Sequence, residues 1–149
     1  MKTENRLIII SSGSKKYLSV ITKGQEFITN EGKIEFDKIE KIPSNIHSST
    51  GKEFLVYAPS YREFILLMKR GPQIIYPKDL GSIIISANIN SNSNVLEIGT
   101  GSGALTLFLA LLLGTNSKFY SLDVNKKNQY RAKKTISRYL SIYSSNFFK

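Results

Sequence analysis

Residues 95–110 read VLEIGTGSGALTLFLA, and this stretch decides the fold. Val95–Ile98 is a short apolar strand, Gly99–Gly103 a glycine-rich turn, and Ala104–Leu113 an apolar helix ended by Gly114. Lys118–Leu122 (KFYSL) follows as a second strand finishing at Asp123, and Asn125 is placed to cap a helix that runs to Tyr139 or Ile142. Strand, glycine loop, helix, strand, acid, helix is the opening βαβα of a doubly wound parallel sheet, so the fold class is α/β.

The glycines alternate, Gly99-x-Gly101-x-Gly103, with Glu97 just ahead of them. Glycine at such positions lets the turn fold tightly and brings backbone atoms close to a ligand with no Cβ in the way. Asp123 stands twenty residues beyond Gly103, where a carboxylate accepts both hydroxyls of a ribose. Together these define a site for an adenosine-containing ligand. A dinucleotide fingerprint reads G-x-G-x-x-G, which this loop does not, and no Lys-Ser/Thr pair follows it as in a phosphate-cradling loop. An acid beside pyrophosphate sets like charges against each other, whereas beside the amino group or sulfonium of S-adenosylmethionine it is attracted. The residues favour S-adenosylmethionine; a nicotinamide or flavin dinucleotide, and a purely structural glycine turn, stay open as alternatives at this point.

Ahead of this unit the pattern changes. Leu7–Ser11 and Tyr17–Ile21 flank a Gly13-Ser14 turn, Asn30-Glu31-Gly32 separates Glu26–Thr29 from Lys33–Phe36, and Glu53–Tyr57 follows Thr50-Gly51. Short strands at this spacing predict a small β-rich domain over 1–58, a compact barrel or meander. Pro59-Ser60 opens a helix over Tyr61–Lys69 that Arg70-Gly71-Pro72 ends, and Gln73–Tyr76 is extended. Pro77-Lys78-Asp79 then leads into a helix over Leu80–Ala87, with Asp79 as its N-cap or first-turn acid. Residues 59–93 therefore link the β domain to the 94–149 unit, the polar run Asn88–Asn94 serving as connector.

Composition bounds the partners. Lys plus Arg is 21 against 11 for Asp plus Glu, a net charge of +10, which favours a polyanion, nucleic acid first and an anionic membrane second. The excess concentrates in residues 126–138, KKNQYRAKKTISR, whose plainest reading is a solvated helix face. The absence of cysteine excludes disulfide scaffolds, thiolate zinc sites and cysteine nucleophiles. His47, the sole histidine, lies in the polar segment Pro43–Gly51 and reads as a surface or structural side chain, so no metal site is expected. MKTENRLIII holds only a four-residue apolar run without a cleavage-like site, and Ala104–Gly114 is eleven residues long, too short to span a bilayer. A cytoplasmic protein without a membrane partner is the expectation.

The glycine loop resembles the first motif, E-x-G-x-G-x-G, of the class I methyltransferases. Residues 66–84, LLMKRGPQIIYPKDLGSII, followed by 95–110, are similar to the tRNA (adenine-N1)-methyltransferases that modify the T-arm of tRNA. That resemblance covers roughly residues 24–138, and GKEFLVYAPSYREFILLMKRG looks like the join between a small N-terminal β domain and a Rossmann-like methyltransferase domain. It implies S-adenosyl-L-methionine as cofactor and tRNA as partner, with a homo-oligomer, a tetramer in the family, for the full-length protein. By position it places Gln73 and Tyr76 near the cofactor and makes Lys78-Asp79 the start of a helix that lids one side of the pocket. It implies that Glu97 faces the methionine amino group, that Ser102, Gly103, Ala104 and Leu105 wrap the methionine and ribose, with Gly99 and Gly101 also binding the cofactor, and that Asp123 holds the ribose hydroxyls. Asp123 stands where the family usually carries Glu, one methylene longer, Asn128 where it often carries His toward the adenine, and Ser60 where Thr is usual.

The family's fourth-strand D-x-P-type motif, which implies an Asp on the adenine amino group, does not occur in the chain, so no catalytic residue is assigned. The expectation is the N-terminal portion of a tRNA (adenine-N1)-methyltransferase, apparently truncated, with little or no activity by itself. Two alternatives stand beside it: another class I methyltransferase, and a non-catalytic tRNA-binding adaptor subunit.

Overall fold

The computed structural model describes residues 5–69, 71 and 73–143; Arg70 and Pro72 of the expected helix-ending turn lie outside the described residues, as do 1–4 and 144–149. The chain divides into two compact units, one built on residues up to Leu67 and one on Met68–Leu140.

In the first unit β1 (Leu7–Ser12) is the centre. Its run of apolar, mostly β-branched residues suits a strand covered on both faces, and Leu7, Ile8, Ile9 and Ile10 are all buried. β1 pairs antiparallel with β2 (Lys15–Val20) across the Gly13-Ser14 turn, and on its other edge with β6 (Glu53–Tyr57), which pairs in turn with β5 (Ser44–His47). The sheet order is β2-β1-β6-β5. It is therefore an open four-stranded sheet, and the simple barrel or meander expected from strand spacing is replaced by a chain that returns to fill the vacant edge of β1. β3 (Glu26–Thr29) and β4 (Gly32–Glu35) form a separate hairpin. Ile34 of that hairpin and Phe36 just after it join Ile8, Ile10, Ile46, Phe54 and Val56 of the sheet in one core, each such buried side chain contributing about 1.5–3 kcal/mol.

β5 was not legible as a strand, because Pro43–Gly51 is polar. Only Ile46 of β5 is buried, and its neighbours Asn45 and the exposed His47 face outward, opposite Leu55 and Glu53. Ser48 is buried where its hydroxyl donates to the Glu31 carbonyl at 2.6 Å, which ties the β5–β6 turn to the hairpin.

Helix α1 (Tyr61–Leu67) begins in a reciprocal cap: the Glu63 N–H donates to Ser60 Oγ, and the Ser60 N–H and hydroxyl donate back to Glu63 Oε2 at 3.2 and 2.8 Å. The other carboxylate oxygen, Oε1, accepts from Lys16 Nζ at 2.6 Å and Tyr57 Oη at 2.8 Å, so β2, β6 and α1 meet at one side chain.

The second unit begins its helices with α2 (Pro77–Ser86), which starts three residues earlier than the apolar period indicated because Pro77 occupies the first helical position. Asp79 is thus a first-turn acid, and Tyr76 takes the cap position. β7 (Val95–Ile98), α3 (Ala104–Leu112) and β8 (Phe119–Leu122) form the expected βαβ unit, the strands parallel with Glu97 beside Ser121 and Ile98 beside Leu122. Helix α4 (Lys126–Tyr143) follows, capped by Asn125, whose Oδ1 accepts the Lys127 N–H at 2.9 Å. Among the described residues no helix is long and apolar enough to cross a membrane.

Candidate functional site

The loop between β7 and α3 is held by backbone at its β7 end. The N–H groups of Gly99 and Thr100 both donate to the Leu122 carbonyl, at 2.7 and 3.1 Å, so the loop leaves β7 attached to the end of β8. Gly99, Gly101 and Gly103 all have positive φ, 97°, 53° and 80°, a region in which only glycine is at ease. A Cβ on Gly99 would meet nothing within 4 Å, and one on Gly101 would meet only the Gly99 and Gln73 carbonyl oxygens, at 3.8 and 3.9 Å. The backbone is therefore open at Gly99 and Gly101, and Gln73 approaches Gly101 through its main chain.

Gly103 is different. A Cβ there would lie 2.9 Å from the Ala132 Cβ and 3.1 Å from its Cα, with Ile136 Cδ1 at 3.5 Å, so this glycine is what lets α4 pack directly on the loop.

The two carboxylates occupy contrasting surroundings. Glu97 is buried, and its Oε2 accepts the hydroxyls of Thr106 on α3 and Ser121 on β8, each at 2.6 Å. Burial pushes its carboxyl up from the ordinary range, against the two hydrogen bonds, which lower it. Ser121 also shares a 2.7 Å hydrogen bond with Thr100 of the loop. Asp123 is accessible: its Oδ1 accepts the Asn125 N–H at 2.7 Å and its Oδ2 the Gly101 N–H at 2.8 Å, with the Asn128 amide at 3.4 Å. These backbone donors hold its carboxyl below the usual range, so it is a fixed anion at neutral pH.

The structure thus brings together Gln73, Glu97, Gly99, Gly101, Gly103, Asp123 and Asn128. Ser102 and Leu105 are half-buried beside the loop, and Ala104, the first residue of α3, is buried. Tyr76 holds the N-cap position of α2 through its backbone, and the residue is 38% exposed. The supporting hydroxyls of Thr100, Thr106 and Ser121 were missed from sequence. Thr106 had a signal, as the one polar side chain in the otherwise apolar ALTLFLALL of α3.

An adenosine-bearing amino-acid cation fits this arrangement: a loop whose backbone is open at Gly99 and Gly101 lies between a buried carboxylate and an anchored, accessible one. A βαβ unit with that loop belongs to the class I S-adenosylmethionine-dependent methyltransferase fold. The model of the family described as tRNA methyltransferase complex GCD14 subunit matches residues 55–143, more than half of the chain. The chain belongs to that family, among the TrmI-like tRNA (adenine-N1)-methyltransferases. It is 30% identical over 131 residues to the tRNA (adenine(57)-N(1)/adenine(58)-N(1))-methyltransferase TrmI of Methanocaldococcus jannaschii, covering 88% of this chain and 46% of that protein. The solved tRNA (m1A58) methyltransferase TrmI of Aquifex aeolicus superposes with a TM-score of 0.76 at 31% identity, over 93% of this chain and 54% of its own. A SAM-dependent O-methyltransferase of Thermotoga maritima superposes with a TM-score of 0.87 at 26% identity, over 95% and 54% of the two chains. The chain spans about half the length of the relatives it matches.

Proposed function

We propose that this chain supplies the S-adenosylmethionine-binding part of a tRNA methyltransferase that acts on N1 of an adenine in the T-arm. The observation that carries the reading is the open glycine loop between Glu97 and Asp123. Asp123, held as an anion by the N–H groups of Gly101 and Asn125, accepts the ribose hydroxyls, and Asn128 lies at the adenine end. Glu97, oriented through one oxygen by Thr106 and Ser121, offers its charge to the methionine amino group. Gln73, whose main chain reaches the loop at Gly101, and Tyr76, just ahead of α2, border the cofactor in this reading, with the Lys78-Asp79 start of α2 as the lid and 94–149 as the cofactor unit. S-adenosylmethionine would bring an activated methyl group, and these residues would bind and orient it.

Methylating adenine N1 requires the base to be exposed and held in line with the methyl group. No D-x-P motif for that task occurs in the 149 residues, so in this reading the base-positioning group comes from the part of the relatives that the chain does not span, as does the homo-oligomer surface. The 149-residue chain alone then binds cofactor and transfers nothing.

Calorimetric titration with S-adenosylhomocysteine, alongside a circular-dichroism melt and a methyl-transfer assay on tRNA, tests this. Binding with a cooperative melt and no transfer supports the reading. A cooperative melt without binding overturns the cofactor site and selects a tRNA-binding adaptor, and transfer by the chain alone overturns the division of labour.

A further inference from the structure

The outer face of α4 is cationic in a way that helix stability does not explain. At about 100° per residue, Lys126, Lys127, Tyr130, Arg131, Lys133, Lys134, Ser137 and Arg138 fall within one arc of about 160°, and all are exposed. The opposite side carries Ala132, Ile136, Tyr139 and Leu140, all buried. An ordinary solvated face intersperses acids with bases so that residues four apart attract. α4 contains no acid, and it sets Lys127 four residues before Arg131 and Lys134 four before Arg138, pairs that repel. Lys126 and Lys127 also sit in the first turn, where the helix dipole disfavours positive charge. The ion pairs Lys16–Glu63, Lys33–Glu26 and Lys38–Glu35 all lie in the first unit.

We infer that this face of α4 binds the phosphate backbone of RNA. A polyanion relieves the repulsion that the sequence builds in, and Tyr130, 71% exposed in the middle of the arc, offers a ring for an unstacked base. An anionic bilayer fits less well: a helix that lies in a membrane surface needs an exposed apolar face, and the apolar side of α4 is buried in the protein. The contact is with backbone, so it positions RNA and does not read its sequence. That the RNA is tRNA rests on the function proposed above. The inner side of the same helix abuts Gly103, so the bound strand lies across the thickness of one helix, about 10 Å, from the cofactor loop.

The test is fluorescence anisotropy of a labelled, unmodified tRNA transcript with the full 149-residue chain, titrated across salt, for wild type and for K127Q/R131Q/K134Q. A K23Q/K33Q/K38Q control removes the same charge from the first unit. The α4 triple is expected to lower the slope of log affinity against log salt by about two to three, to bind S-adenosylhomocysteine as wild type does, and to melt no lower. Equal losses in both triples would mean that net charge alone attracts RNA, which overturns the inference. So would unchanged tRNA binding by the α4 triple, or co-sedimentation with phosphatidylserine vesicles that the triple abolishes while tRNA binding persists. Failure of wild type to bind S-adenosylhomocysteine counts against the proposed function and leaves the RNA readout intact.

Discussion

Thr106 donates its hydroxyl to Glu97 at 2.6 Å from within an otherwise apolar helix, so the carboxylate ahead of the glycine loop is oriented from the protein interior. Replacing Thr106 by Val keeps the shape and removes the donor. The loss is expected to destabilise the fold by about 1–3 kcal/mol, because Glu97 is buried and keeps only Ser121. The melt should fall, S-adenosylhomocysteine binding should weaken, and T106S should restore both. A T106V chain that melts and binds like wild type would remove the hydroxyl from the design of the site.

Gly103 is expected to tolerate nothing larger. Its φ of 80° disfavours a side chain by about 1–3 kcal/mol, and the new Cβ would press on Ala132. G103A should lower the melting temperature and cofactor affinity together. G99A, with strained φ but open space, should keep more of its stability. Equal melts for the two variants would contradict the contact.

Asp123 carries the ribose end in the proposed function. D123A removes the charged acceptor that the proposed function gives the ribose hydroxyls, and a hydrogen bond to a charged group is worth about 1.5–3 kcal/mol, or about ten- to a hundredfold in affinity. Titration with S-adenosylhomocysteine reads this directly, and full affinity in D123A would exclude the carboxylate from ribose binding.

Acid should act first on the other unit. Burial pushes the Glu63 carboxyl up, but hydrogen bonds from Lys16, Tyr57 and Ser60 outweigh that and hold it down, from 4.5 to about 2. A carboxyl depressed in the folded state contributes stability above its unfolded value and loses it as pH falls toward the folded one. The contribution of Glu63 is therefore complete above pH 4.5 and drains away down to about pH 2. Glu97, raised by burial, works in the opposite sense, its contribution present at low pH and lost as pH rises through its folded value. Chemical denaturation at stepped pH, with E63Q for comparison, should show the acid limb flatten in the variant.

The face of the β7–β8 pair turned away from Glu97 and Ser121 carries Leu96, Ile98, Tyr120 and Leu122, each at least half exposed. A contiguous apolar patch of this kind drives association when it is left in water. The purified chain should sediment with concentration-dependent mass, and L96K/Y120E should shift it toward a monomer without loss of cofactor binding. A wild-type chain that is monomeric at every concentration would refute the patch as an adhesive surface.

The βαβ unit was legible because its signals are local: a strand-to-glycine transition, an apolar helix closed by Gly114, and Asp123 at a strand end. The asparagine cap of α4 was legible for the same reason. Long-range pairing was not. Nothing in the local pattern of Ser44–His47 marks it as a strand, since a single buried Ile46 and the edge of β6 hold it in place. The start of α2 was hidden by a proline, which reads as a breaker until it is seen to occupy the first turn. At the site, glycines and acids were visible as residue types, whereas the hydroxyls of Thr106 and Ser121 acquire meaning only once parallel register sets them around Glu97.

The contact between Gly103 and Ala132 also makes two distant positions a single unit of inheritance. Position 103 is held to glycine by its backbone angle and by the Ala132 methyl, and Ala132 is itself buried. Substitutions there combine non-additively, since one enlarged residue already forfeits the fit that the other would protect. The closeness of the basic helix to the glycine loop thus depends on a methyl at position 132 facing a bare Cα at position 103.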